Sequence, residues 1–140
     1  MSVKPARRSA LILPINVPRF VERAHLRGAD AIVLDLEDSV PPAEKPGARK
    51  LIPEALRAVG RGGGEVAVRV NNEPGRLDDD LDAAVQPGLD SIAFPKAESA
   101  DQVRAVAARI EALERQHGVT PGHVKLSLAI ETPRGLLAAR

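Results

Sequence analysis

The sequence predicts an α/β fold whose parallel strands curve toward a closed barrel, and three observations carry that prediction. Short runs rich in branched apolar residues alternate with helical patterns five times along the chain. Such alternation gives parallel strands joined by right-handed crossovers. The clearest strand runs also have one bulky face and one smaller face that turns polar at its carboxyl end. A doubly wound sheet buries both faces under helices, whereas a barrel keeps one face for its lumen. A slip of one residue in the alternation would exchange the two faces.

Residues 9–15 read as the first strand, ended by Pro14 and Asn16. The following helix takes Asn16 as its expected N-cap, carries Pro18 in its first turn, and closes at Gly28. Val17, Phe20, Val21 and Ala24 give it one apolar face. The second strand, residues 31–36, lies within A-D-A-I-V-L-D-L-E-D-S-V at positions 29–40. Residues 43–59 have helical spacing, and Pro53 inside them predicts a kink or a split. A glycine loop at 61–64 leads into the third strand, residues 65–70. A short helix over 78–86 ends at Pro87 and Gly88, and residues 91–95 form the fourth strand. Ser99 and Gln102 have the spacing of a capping box for a helix that ends at Gly118. Its apolar face is Val103, Val106, Ala107, Ile110 and Leu113. Residues 125–130 are the fifth strand, and Thr132-Pro133 caps and starts a last helix.

Alternation places Asp35 and Glu37 on one face of the second strand, opposite Leu34, Leu36 and Asp38. Acids clustered at the end of a buried strand need water, a metal or a base to meet them. Carboxyl ends of parallel strands are also where ligands sit. Extending the alternation to the other strands gives an expected inner set of Asp35, Glu37, Arg69, Asn71 and Glu131. Lys96 invites a Schiff-base reading, but alternation groups it with Phe94, away from that set. Asp38 is expected to bond backbone amides in the turn before Pro41. Asp78, Asp79, Asp80 and Asp82 read as a solvated helix start, favoured by the helix dipole rather than by a metal. Gly62-Gly63-Gly64 precedes a strand, whereas phosphate loops follow one, so no phosphate site is read there. The histidines are scattered and suggest no metal site or triad.

The composition narrows the function. Of 140 residues, 44% are hydrophobic and 28% charged, which describes one globular domain spanning 1–140. A formal net charge of +1 and an aromatic content of 1% argue against a nucleic-acid surface. The absence of cysteine removes disulfides, thiolate metal sites and thiol nucleophiles. The basic start is followed by too short an apolar run for a signal peptide, and no stretch reaches a membrane span. A cytoplasmic location is therefore expected, with no membrane partner.

Five motifs, in order, then carry a resemblance. They are S-A-L-I-L-P-I-N-V-P-R-F, G-A-D-A-I-V-L-D-L-E-D-S-V-P-P-A-E-K, V-A-V-R-V-N-N, I-A-F-P-K-A-E-S and L-A-I-E-T-P-R-G. Together they closely resemble the citrate lyase β-subunit-like proteins of the HpcH/HpaI aldolase superfamily, a group that includes malyl-CoA lyases. The resemblance implies an eight-stranded β/α barrel of the TIM type, with this chain covering about its first five βα units. It implies that Arg69 holds a substrate carboxylate and that Glu131 binds Mg²⁺ at the substrate. Asp35 and Glu37, the catalytic candidates, would lie near the metal, chiefly through water. The family's second metal ligand is an aspartate after the sixth strand, so the domain is expected to be incomplete at its C-terminus. The plainer alternatives are a strand-tying salt bridge for Arg69 and a helix-dipole charge for Glu131. The implied activity is a Mg²⁺-dependent carbon–carbon lyase acting on a 3-hydroxy-acyl thioester such as a malyl- or citryl-CoA-like substrate. A thioesterase on the same site and a non-catalytic truncated barrel acting as a subunit are its rivals. Open sheet edges make a homo-oligomer the expected state.

Overall fold

The computed structural model describes residues 6–139. Met1 to Pro5, the start of the basic N-terminus, and Arg140 lie outside them. The strands are β1 (Ala10–Pro14), β2 (Ala31–Asp35), β3 (Glu65–Arg69), β4 (Ser91–Phe94) and β5 (Lys125–Leu128). They form one sheet in the order β1-β2-β3-β4-β5, with every neighbouring pair parallel. The helices are α1 (Pro18–Ala24), α2 (Lys45–Lys50), α3 (Ile52–Gly60), α4 (Leu77–Ala84), α5 (Ala100–Gln116) and α6 (Pro133–Ala138).

Sequential order with crossovers of one hand lays successive helices on the same side of the sheet. The packing agrees. Leu13, Leu34, Val68, Ile92 and Leu126 lie level with one another across the sheet. The first four are buried in the core with residues of α1, α3, α4 and α5, and Leu126 packs against it. Leu34, Val68 and Ile92 have no exposed surface, and burying each such side chain contributes about 1.5–3 kcal/mol. Ile12, Val33, Ala67, Ser91 and Lys125 form a level on the opposite face, outside that core. Smaller side chains there, and a sheet that never reverses its order, are the features of a barrel lumen.

Within the expected 43–59 helix, a 3-10 turn at Pro42–Glu44 precedes α2 and α3, which meet at Leu51. Pro53 falls in the first turn of α3, where its missing N–H has no intrahelical partner to lose. Ile52, Ala55, Leu56 and Val59 then bury one face at helical spacing. Asn16 does not cap α1: the cap position is Val17, without a side-chain bond, and the Asn16 amide donates to Glu44 instead. Half of the capping box forms. Ser99 Oγ accepts the Gln102 N–H at 3.1 Å, while Gln102 Oε1 accepts from the amide of Glu98 at 3.0 Å. Thr132 caps α6 as expected, accepting from Gly135 N at 3.0 Å.

Glu114 near the end of α5 is 1% exposed. It takes both the Gly122 and Val124 amides at 2.7 Å, fixing the loop into β5. No helix among the described residues is long and apolar enough to cross a membrane.

Candidate active site

Asp35 and Arg69 are register partners on β2 and β3, so a carboxylate and a guanidinium stand side by side on the less bulky face. Arg69 donates from Nε to Asp35 Oδ1 and from Nη2 to Asp35 Oδ2, both at 2.7 Å. This two-pronged pairing is the strongest geometry for such ions. Asp35 also accepts from Glu37 N at 2.9 Å, Ser39 N at 3.0 Å and the Ser39 hydroxyl. It is therefore Asp35, not Asp38, that bonds the amides of the turn before Pro41. Burial pushes the Asp35 carboxyl up, but the bonds from Arg69, Ser39 and the two amides outweigh it and hold the pKa at about 2.

Glu37 follows on the same side. Arg69 Nη1 lies 3.3 Å from its Oε2, and the Lys96 ammonium bonds its Oε1. Its side chain is only 7% exposed, and Oε2 is buried without a hydrogen bond. Lys96 also lies 3.8 Å from Asp38, a side chain that is 72% exposed. The bond to Glu37, outweighing partial burial, raises the Lys96 pKa. Glu131, from the turn after β5, accepts the Lys96 backbone N–H at 3.1 Å. Thus Asp35, Glu37, Arg69, Lys96 and Glu131 form one connected cluster, supplied by four consecutive βα units.

Lys96 corrects the alternation-based expectation. The ladder ends at Phe94 and Pro95 follows, so strand periodicity stops two residues before Lys96 and does not place it. Lys96 then adopts φ 51°, a left-handed conformation unusual for a side chain of this size, and turns toward Glu37. Pro95 in the sequence was the available signal.

Asn71 is a second correction: it stands behind the inner face rather than on it. Its Oδ1 accepts from Lys45 Nζ at 2.6 Å, and its Nδ2 donates to Leu36 O at 2.9 Å and to Asp80 Oδ2 at 2.7 Å. β3 ends at Arg69, and from there backbone direction, not alternation, aims the side chains. Asp80 is the third correction. It is 1% exposed and bonds Asn71 and Arg49, whereas Asp78 and Asp79 keep the exposed positions expected of the helix start. Lys45, 6% exposed, gives its remaining bonds to Leu36 O at 2.9 Å and Glu37 O at 2.6 Å. The need of Glu37 and Asp38 for a cation was a second sequence signal for Lys96; Lys45 bonds carbonyl and amide oxygens, for which the sequence carries no such signal.

Hard oxygens dominate the cluster, and Mg²⁺ takes one or two carboxylates while keeping several waters. Glu131 is an exposed carboxylate, and Glu37 Oε2 is a buried oxygen without a hydrogen bond, 3.3 Å from the Arg69 guanidinium. These donors fit part of a Mg²⁺ shell. No group of three or more His, Cys, Asp or Glu side chains suited to a metal occurs among the described residues.

A parallel, sequentially ordered sheet with acids, an arginine and a lysine at its carboxyl ends defines a β/α-barrel type of enzyme scaffold. Residues 8–140 match the HpcH/HpaI aldolase/citrate lyase family, and the chain belongs to that family. It is 36% identical over 140 residues to citrate lyase subunit beta of Leuconostoc mesenteroides subsp. cremoris, covering 99% of this chain and 46% of that protein. It is 38% identical over 138 residues to an L-malyl-CoA/beta-methylmalyl-CoA lyase of Cereibacter sphaeroides, covering 94% and 43%. Among solved structures, a citrate lyase beta subunit from M. tuberculosis, complexed with oxaloacetate and magnesium, is similar. Its TM-score is 0.69 at 28% identity, over 95% of this chain and 52% of that one. A Haloferax volcanii malate synthase shares the fold, with a TM-score of 0.83 at 21% identity over 94% and 44%. The chain therefore spans just under half the length of the curated relatives it matches.

Proposed function

We propose that this chain supplies the first five βα units of a Mg²⁺-dependent carbon–carbon lyase acting on a 3-hydroxy-acyl thioester, a malyl- or citryl-CoA-like compound. The observation that carries the proposal is the connected Asp35–Arg69–Glu37–Lys96–Glu131 cluster at the strand ends of a chain in this family. The relatives' own names, and the oxaloacetate and magnesium of the solved one, support the substrate class and the metal.

In this reading the 3-hydroxyl loses its proton as the C2–C3 bond breaks, C3 leaves as the carbonyl carbon of an oxo-acid, and the C2–C3 electrons pass to the thioester as an enolate that takes up a proton at C2 to give acetyl-CoA. Asp35 has both oxygens engaged, so it is a positioning residue that sets the arginine. Arg69 has N–H donors beyond the two given to Asp35, and these meet the carboxylate of the substrate. Glu37, with one oxygen free of hydrogen bonds, is the acid available at the reacting end. Glu131 would hold Mg²⁺, with Glu37 reaching it through water and the rest of the shell supplied from outside these residues. When bound, the metal draws negative charge onto the oxygens of the oxo-acid and its alcohol precursor.

The test is steady-state cleavage of malyl-CoA and citryl-CoA by the full-length protein, with and without Mg²⁺. Wild type should release acetyl-CoA only with the metal. Arg69→Lys keeps the charge but loses the fork, and should reduce kcat/KM by about 100-fold or more. Release of free CoA in place of acetyl-CoA would make the protein a thioesterase, and no turnover of either substrate would overturn the proposal.

A further inference from the structure

Two adjacent asparagines follow the central strand, beyond its end at Arg69, and each reaches in a different direction. Asn71, fully buried, donates to Leu36 O at 2.9 Å and accepts from Lys45 Nζ at 2.6 Å. Lys45 in turn holds Leu36 O and Glu37 O, which spends all three of its donors. The main chain on either side of Glu37 is thereby fastened from behind. Asp80 fixes Asn71 itself, accepting its N–H at 2.9 Å and its Nδ2 at 2.7 Å, with Arg49 closing the chain at 2.9 Å.

Asn72 works on the opposite flank. Its Nδ2 donates to Pro95 O at 2.9 Å and to Lys96 O at 3.0 Å. Its Oδ1 accepts from Gln102 Nε2 at 3.0 Å, and Gln102 is anchored to the Ser99–Glu98 start of α5. Two carbonyls of one short turn on a single amide group offset the strain of the left-handed Lys96. That turn aims the Lys96 N–H at Glu131 and its ammonium at Glu37.

We infer that Asn71 and Asn72 are separate positioning residues, Asn71 for the Glu37 loop and Asn72 for the Lys96–Glu131 turn. The functional part of this inference rests on the lyase reading above; the structural part does not. Asn71 therefore sets the main chain that carries Glu37, and Asn72 sets the turn that presents the Lys96 N–H to Glu131 and the Lys96 ammonium to Glu37. Loss of an outer partner of a metal ligand typically weakens metal binding about 10–100-fold.

The experiment uses the full-length protein and the variants Asn71→Ala and Asn72→Ala, with hydrogen–deuterium exchange, Mg²⁺ titration calorimetry and kinetics on each. Asn72→Ala should speed exchange at residues 96–98 and leave 36–40 as in wild type. It should weaken Mg²⁺ binding about 10-fold and lower kcat at saturating Mg²⁺ less than Asn71→Ala does, since at Glu37 it disturbs only the Lys96 contact. Asn71→Ala should do the converse: faster exchange at 36–40, kcat down about 10-fold or more, and Mg²⁺ affinity within about 3-fold. If either alanine variant fails to fold, Asn71→Ser and Gln102→Ala carry the same comparison. Both loops loosening alike in both variants, or neither loosening, would overturn the inference. Should wild type neither bind Mg²⁺ nor turn over, the lyase reading fails while the exchange data still decide the positioning roles.

Discussion

Asp35 concentrates more bonding than any other acid at the site, and its chemistry is measurable without a substrate. Its pKa of about 2 lies below the ordinary 3.8, so the folded protein binds this proton less tightly than the unfolded chain. Between about pH 4 and pH 2 the unfolded state therefore takes up more protons. The contribution, about 2 kcal/mol, is complete above pH 4 and is lost as pH falls through the folded value. Urea unfolding from pH 6 downward should show that acid limb, and Asp35→Asn should have a shallower one. Parallel limbs would mean the Arg69 pairing adds nothing. At this scale the sequence placed Asp35 and Arg69 on one face because regular alternation still holds there, and Glu37, two residues past the end of β2, falls on the same side through its contact with Arg69. The sequence missed Lys96, Lys45 and Asn72, whose directions are set by turns and by long-range bonds to carbonyls. It also misplaced Asn71, two residues past the end of β3, for the same reason.

Elements meet the site most tightly where α6 begins. A Cβ on Gly135 would stand 2.3 Å from Ala97 O, closer than any real contact, and that oxygen belongs to the residue after Lys96. Gly135→Ala must push α6 away from the β4–α5 turn. It should cost about 1–3 kcal/mol, as overpacking does, and it should loosen Glu131 from the Lys96 amide. Thermal unfolding gives the first effect and Mg²⁺ titration the second; a variant as stable and as Mg²⁺-competent as wild type would contradict the close approach. Elsewhere in the chain, Glu114→Ala strips two amides, that of Val124 buried, of their acceptor and should cost about 1–3 kcal/mol. Element boundaries were legible wherever a proline or a cap residue marks them, as at Pro53, Ser99 and Thr132. The interior role of Asp80 was not, since nothing in a run of four acids says which one a distant Arg49 will claim.

At the scale of the whole molecule, both flanks of the sheet are apolar. Ile12 and Leu26 are 55% and 71% exposed on the β1 side, and Ile130, Leu136 and Leu137 are 49%, 67% and 67% exposed on the β5 side. Patches of this kind beside open strands promote association. The 140-residue chain expressed alone should therefore sediment as oligomers or aggregates, and Leu136→Lys with Leu137→Lys should shift it toward monomer. A monomeric wild type across micromolar concentrations would refute this. The barrel-type class was legible because face asymmetry survives in sequence; which surfaces remain uncovered was legible only as a count of strands.

The strand order also bears on how the chain acquires its shape during synthesis. Among the described residues each strand after β1 pairs with the one made just before it, so its partner is already made when it leaves the ribosome. Long-range pairings slow folding because their loops must close first. Here every pairing closes a single crossover. The cluster would then be assembled in the order of translation: Asp35 and Glu37 first, then Arg69 to fasten Asp35, then Lys96 to meet Glu37, and Glu131 last.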